Sequence, residues 1–317
     1  MSLEMLLPGG PLGLEAGLGV LLVIVFVMGL FKPAEPDRRA GFVTLAGLLV
    51  LTGLAFAAPG TGRLPGGAFV VDSLAVFAKR LFLASAALSV LATLGLPSPR
   101  YARRGAEYHF GLLASLLGML LLPSARDVIL LFVSFELMSI PLYFLTGFRK
   151  GEGSAAEGAM KFFLIGSVSS AVLLYGLSFL VGATGSTDVA AIAGALADAN
   201  PLAKLGLVLA LAGLGFKIAA VPFHMWVPDT YEAADTPFVA WLSVAPKAAG
   251  FIVFFRLYLD GAGPAALLWV PLLSALTTVT IVAGNLMAIP QTNVKRMLAY
   301  SGVAHIGYML MGLAAIS

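Results

Sequence analysis

The chain has 317 residues, of which 60% are hydrophobic and 11% charged, with a mean hydropathy of +0.98. Soluble domains carry about 25% charge, so this composition excludes an ordinary soluble enzyme and indicates an all-α, polytopic membrane protein. The net charge of +3 is no nucleic-acid signal, and the lack of cysteine excludes disulfides, thiolate iron–sulfur ligation and cysteine zinc sites.

The N-terminal MSLEMLLPGG has no positive n-region, so the first apolar segment is expected to stay in the membrane. Ten spans are predicted, at about 14–31, 40–58, 74–96, 106–122, 125–147, 159–181, 202–222, 236–259, 265–289 and 297–316. Stretches rich in Pro, Gly or charge separate them: KPAEPDRR at 32–39, APGTGRLPGG at 58–67, LPSPRYARRG at 96–105 and FRKGEGSAAEG at 148–158. Ser186, Thr187 and Asp188 are placed to cap a short amphipathic surface helix ending at Asn200-Pro201. The chain stops at Ser317 directly after an apolar run, so it reads either as a short protein or as a longer one that has been cut.

Lys and Arg positions set the orientation. With the N-terminus outside, inner loops hold Lys32, Arg38, Arg39, Arg100, Arg103, Arg104, Arg149, Lys150, Lys161, Lys295 and Arg296. Outer loops hold only Arg63, Arg126, Lys204 and Arg256. That bias places the N-terminus on the outer face. The loop between the seventh and eighth spans breaks the rule, because it carries Asp229, Glu232 and Asp235 and no base.

Glu136, Lys217 and Lys247 lie well inside apolar spans, where an ionisable group costs several kcal/mol unless hydrated or paired. Each has a proline nearby. Pro141, Pro222 and Pro246 free the carbonyls of Leu137, Ile218 and Leu242, so helix breaks are expected beside all three charges. One reading is a fixed ion pair between Glu136 and one lysine. The other is a proton relay, in which two lysines exchange one carboxylate. His224, in PFHMWVPD, is either an interfacial histidine beside Phe223, Trp226 and Tyr231 or a proton-entry group. His305 follows Lys295 by ten residues, as Glu136 follows Arg126, which hints at an internal repeat. Asp72, Lys79 and Arg80 read as interfacial, snorkelling groups. GEGSAA at 151–156 matches a dinucleotide-binding pattern but reads as a loop between spans and follows no strand. His109, His224 and His305 are too scattered for a haem or a local metal motif.

FKIAAVPFHMWVPDTYEAADTPFVAWLSVAPKAAGF at 216–251 resembles the signature of the antiporter-like subunits of proton-pumping NADH:quinone oxidoreductase, respiratory complex I. Mrp-type sodium/proton antiporters share that region. FELMSIPLYFLTGF at 135–148, KFFLIGSVSSAVLLYGLSFLVGATGST at 161–187 and QTNVKRMLAYSGVAHIGYML at 291–310 are most similar to the N-type subunit. The resemblance covers about 105–317. It implies relay roles for Glu136, Lys217, Lys247 and His224 and no cofactor or metal in this chain; Lys295 and His305 are secondary candidates from their matched spacing. NADH, FMN, iron–sulfur clusters and quinone would sit elsewhere in the complex. It also implies inverted five-helix repeats with broken helices. The expected division is then a three-helix region at 1–104, a first repeat at 105–260 and the incomplete start of a second repeat at 261–317. The implied partners are other membrane-arm subunits and membrane lipid, with no nucleic acid. The implied location is a bacterial inner membrane with the N-terminus periplasmic. Two alternatives stay open: an Mrp-type antiporter subunit, and a structural scaffold holding a frozen ion pair.

Overall fold

The computed structural model describes residues 3–31, 38–96, 99–197 and 200–316. Lys32 of the charge count and the Arg100 side chain lie outside the described residues. In chain order the helices are α1 (Gly13–Leu30), α2 (Arg39–Ala57), α3 (Ser73–Gly95), α4 (Pro99–Leu121), α5 (Val128–Thr146), α6 (Gly153–Thr184), α7 (Val189–Ala197), α8 (Pro201–Ile218), α9 (Trp226–Ala233), α10 (Thr236–Phe254), α11 (Ala266–Ala288) and α12 (Val294–Ile316). A two-residue hairpin, β1 (Gly62–Arg63) with β2 (Val70–Val71), joins α2 to α3. Among the described residues ten helices are long and apolar enough to cross a membrane; α7 and α9 are the short ones. The chain divides into two compact units, one of residues 1–126, 130–148 and 236–245, the other of residues 127–129, 149–235 and 246–317.

In the first unit, small residues let helix backbones approach, as lipid-embedded packing requires. A Cβ on Gly17 of α1 would meet Leu51 of α2 at 2.7 Å. Gly118 of α4 lies against the Met138 nitrogen and, at 2.6 Å from the same notional Cβ, the Ser134 carbonyl of α5. The Ser115 hydroxyl donates to the Met138 carbonyl at 2.6 Å. This crossing fixes the turn of α5 that carries Glu136. Asp72 caps α3 by accepting the Ala75 N–H at 2.9 Å, and it pairs with Arg126 at 2.7 Å.

Lys79 does not snorkel. It is 1% exposed, and its Nζ lies 2.6 Å from Glu15 of α1, itself 6% exposed. The Phe69 ring lies 5.1 Å from the same ammonium. An anion in the first turn of α1 thus offers the lysine a closer partner than interfacial water. Neither half of such a pair is dispensable, since a stranded buried charge costs about 3–5 kcal/mol. Arg80 is also engaged, donating from Nε to the Ala55 carbonyl at 3.0 Å and covering the Phe56 ring.

In the second unit, Gly176 of α6 and Gly206 of α8 face each other, each notional Cβ being 2.7 Å from the other's carbonyl oxygen. Gly284 of α11 and Gly307 of α12 make the equivalent close contacts with Ala304 and Ile281. Asn200 caps α8 by accepting the Leu202 N–H at 2.9 Å, and Pro201 fills the first helical position. The short helix expected after Ser186 is α7, with Asp188 accepting the Ala190 N–H at 2.9 Å.

Three expectations about local structure are corrected. Pro141 and Pro246 do not break their helices: α5 and α10 run continuously through them. A membrane helix absorbs a proline when neighbours supply the lost bonding, so the residue alone does not dictate a break. GEGSAA is not all loop, because α6 already starts at Gly153. Arg256 is no outer-loop base. It lies in a π-helical extension of α10 (Phe255–Asp260), 2% exposed, with Nη1 3.0 Å from Asp260.

Candidate functional site

In the second unit a helix is interrupted. α8 stops at Ile218, Ala219 takes a left-handed conformation with φ 66°, and the chain becomes helical again at Trp226. Backbone polar groups freed at membrane depth need protein partners, and here they have them. Ala219 N–H donates to the Phe216 carbonyl at 2.9 Å and Ala220 N–H to the Gly215 carbonyl at 2.8 Å. The Trp226 indole also donates to the Phe216 carbonyl, at 3.1 Å. The Val221 N–H donates to the Thr280 hydroxyl of α11 at 3.0 Å. Pro222 sits in this interval. It has no N–H to satisfy and holds the chain out of the helix.

Lys217 occupies the last turn of α8 and is 8% exposed. The C-terminal end of a helix is the negative end of its dipole, which favours a cation. The interruption therefore places fixed negative partial charge beside the ammonium. Gly250 of α10 receives Ile218, the residue after this lysine, so closely that a Cβ there would lie 2.6 Å from Ile218 Cγ2.

Lys247 lies one turn before Gly250 on α10 and is 3% exposed. Its Nζ is 5.5 Å from the centroid of the Tyr231 ring on α9. A Cβ on Gly302 of α12 would lie 3.2 Å from the same Nζ. His224, in the interruption, is buried; Nε2 is 3.3 Å from Met287 Sδ, and the imidazole lies 6.2 Å from the Tyr300 ring. Burial holds this imidazole below its ordinary range, opposed by a backbone hydrogen bond with Pro222.

The structure brings Lys217, His224, Lys247 and Lys295 into one unit with Pro222 and Pro246. Glu136 and Pro141 belong to the other unit, where Glu136 is half-buried on α5. Lys295 opens α12 and donates to the Ala234 carbonyl at 2.8 Å. His305 is exposed, its Nδ1 2.7 Å from the Ser301 carbonyl of its own helix. Among the described residues it makes no contact that ties it to the interruption. Among the described residues no group of three His, Asp or Glu side chains is arranged to hold a metal ion.

The acidic loop without bases turns out to borrow them. Asp229 pairs with Lys161 of α6 at 2.8 Å and with Arg296 of α12 at 2.7 Å. Glu232 pairs with Arg296 at 2.9 Å and accepts from Asn293 at 2.9 Å. Arg149 donates to the Ala233 carbonyl at 3.1 Å. Burial alone would raise the Asp229 carboxyl; the hydrogen bonds from Lys161 and Arg296 outweigh it and hold the group below its ordinary range. A depressed carboxylate stabilises the fold above its unfolded value and loses that contribution only in acid. This clamp fixes α9, and with it Trp226 and Tyr231. The sequence marked the loop as unusual through its missing bases. The sequence placed Tyr231 only among the aromatics near His224, and nothing local pointed to Gly302 or Thr280; their roles come from elements far apart in the chain.

Residues 125–317 match the family described as NADH:quinone oxidoreductase/Mrp antiporter, TM. NADH-quinone oxidoreductase subunit N of Desulforamulus reducens is 42% identical over 304 residues, covering 95% of this chain and 64% of its own length. Subunit N of Moorella thermoacetica is 40% identical over 306 residues, covering 96% of this chain and 63% of its own length. Among solved structures, a chain of respiratory complex I from Thermus thermophilus with bound Aureothin superposes with a TM-score of 0.79 at 36% identity. That superposition covers 95% of this chain and 64% of that one. A chain of the Mrp complex from Dietzia sp. DQ12-45-1b gives 0.83 at 20% identity, covering 99% of this chain and 59% of that one; this second likeness is one of fold. The chain thus spans just under two thirds of the length of the curated relatives it matches.

Proposed function

The chain belongs to the NADH:quinone oxidoreductase/Mrp antiporter transmembrane family, and we propose that it is the proton-translocating part of an N-type membrane-arm subunit of bacterial NADH:quinone oxidoreductase. The observation that carries this reading is the buried Lys217 at the end of α8, where the helix stops inside the protein and resumes eight residues later. A lysine in such a place can take up a proton against a fixed dipole and give it up again, which a permanently charged or solvent-facing group cannot do. Lys247 on α10 is the next buried lysine of the same unit, and Glu136 on α5 is the carboxylate of the relay. Quinone reduction in other subunits drives the movement. NADH, FMN, the iron–sulfur clusters and the quinone belong to those subunits; a chain without cysteine supplies no thiolate for a cluster. Neighbouring antiporter-like subunits and lipid are the partners of its outer surface. The experiment is NADH-driven proton uptake into inverted membrane vesicles carrying Lys247→Ala in an assembled complex. Most of the uptake is expected to vanish, and uptake at the wild-type rate would exclude Lys247 from the relay.

The orientation follows from the same charges. Arg149, Lys161, Lys295 and Arg296, all bases of the inner set, meet around the 223–235 loop. The loop accordingly faces the cytoplasm and the N-terminus the periplasm. A cysteine at the exposed Lys150 should react with an impermeant maleimide only in inverted vesicles. Labelling of intact, outer-face-accessible cells instead would reverse the assignment.

A further inference from the structure

We propose that Tyr231 is a positioning residue for Lys247: its ring face holds the ammonium form of that lysine, in a space kept open by Gly302. The inference rests on the relay reading of Lys247. Among the described residues Lys247 has neither a hydrogen-bond nor an ion-pair partner, yet it is 3% exposed. What it does have is the Tyr231 ring, 5.5 Å from Nζ to centroid. The face of an aromatic ring carries negative quadrupole potential and attracts a cation, by roughly two- to thirtyfold in an equilibrium. It cannot accept a proton. It therefore favours the charged lysine without capturing the proton, as a carboxylate in the same position would. That is the property a group must have if it holds a proton briefly and passes it on.

Tyr231 is built for this task. It is 3% exposed, and its hydroxyl has no hydrogen-bond partner among the described residues. Burial pushes that hydroxyl above its ordinary range, so the ring remains a neutral phenol. The helix that carries it, α9, is pinned by Asp229 and Glu232 to α6 and α12. From α12, Gly302 leaves the volume beside Nζ unfilled; a methyl group there would come within 3.2 Å of the nitrogen.

The test uses proton uptake by the whole complex in inverted vesicles, with assembly followed by native electrophoresis. Phenylalanine and its mono-, di- and trifluorinated forms are placed at position 231. Fluorine withdraws electron density from the ring face and barely alters its shape. Tyr231→Phe is expected to retain most uptake, and uptake should then fall stepwise with fluorine number, several-fold by the third. Gly302→Ala should lower uptake several-fold with assembly intact. A flat fluorine series, or an assembled Tyr231→Phe that is already inactive, overturns the proposal while Lys247→Ala remains inactive and the relay stands. If Lys247→Ala pumps normally, the relay role of Lys247 falls and this inference with it.

Discussion

Glu136→Gln is expected to leave the complex assembled while NADH-driven proton uptake, and the quinone reduction coupled to it, fall roughly a hundredfold, the low end of what acid–base groups contribute. Glutamine matches glutamate in volume and still offers an oxygen acceptor, so the packing of α5 survives. That packing rests on Gly118 against the backbone of α5 and on the Ser115 bond to the Met138 carbonyl. What the amide cannot do is ionise. A relay needs the carboxylate to bias a lysine between its charged and neutral states, and a neutral amide biases neither. Glu136→Asp separates charge from reach: it keeps the carboxylate on a shorter arm and should retain more activity than Gln. A scaffold held by a frozen ion pair predicts the opposite order of damage, with assembly failing first. Near-normal proton uptake by an assembled Glu136→Gln complex would remove Glu136 from the mechanism.

The positions of the spans were legible because lipid imposes a length and a polarity on each one; α1, α2 and α3 begin and end within a residue of where the apolar runs place them. Local conformation was less legible. Pro141, Pro222 and Pro246 look alike in sequence, and only Pro222 lies in a break. The difference is made in part by a group distant in the chain: Thr280 of α11 satisfies the Val221 N–H in the break after α8, and no local window of sequence contains it. Long-range pairing hid the Glu15–Lys79 bridge in the same way. A lysine near a helix start reads as interfacial until its partner, sixty-four positions earlier, is found beside it. The candidate residues themselves were readable for the reason that makes them functional. A charge costs so much at membrane depth that Lys217 and Lys247 stand out in any apolar run. Their surroundings were not readable, since Tyr231 and Gly302 are ordinary residues at ordinary positions.

The measurement that bears most directly on the relay is proton uptake by Lys217→Arg compared with Lys217→Ala, both in assembled complexes in inverted vesicles. Arginine keeps the positive charge at the end of α8 and can pair with any anion that lysine pairs with. It does not deprotonate under these conditions. If Lys217 works by releasing its proton, Arg must fail nearly as badly as Ala, with uptake lowered roughly a hundredfold, the scale of a lost proton-transfer group. If Lys217 serves only as the cation of a structural pair, Arg should restore the wild-type rate where Ala does not. Wild-type uptake by Lys217→Arg would contradict the relay and leave a static ion pair in its place.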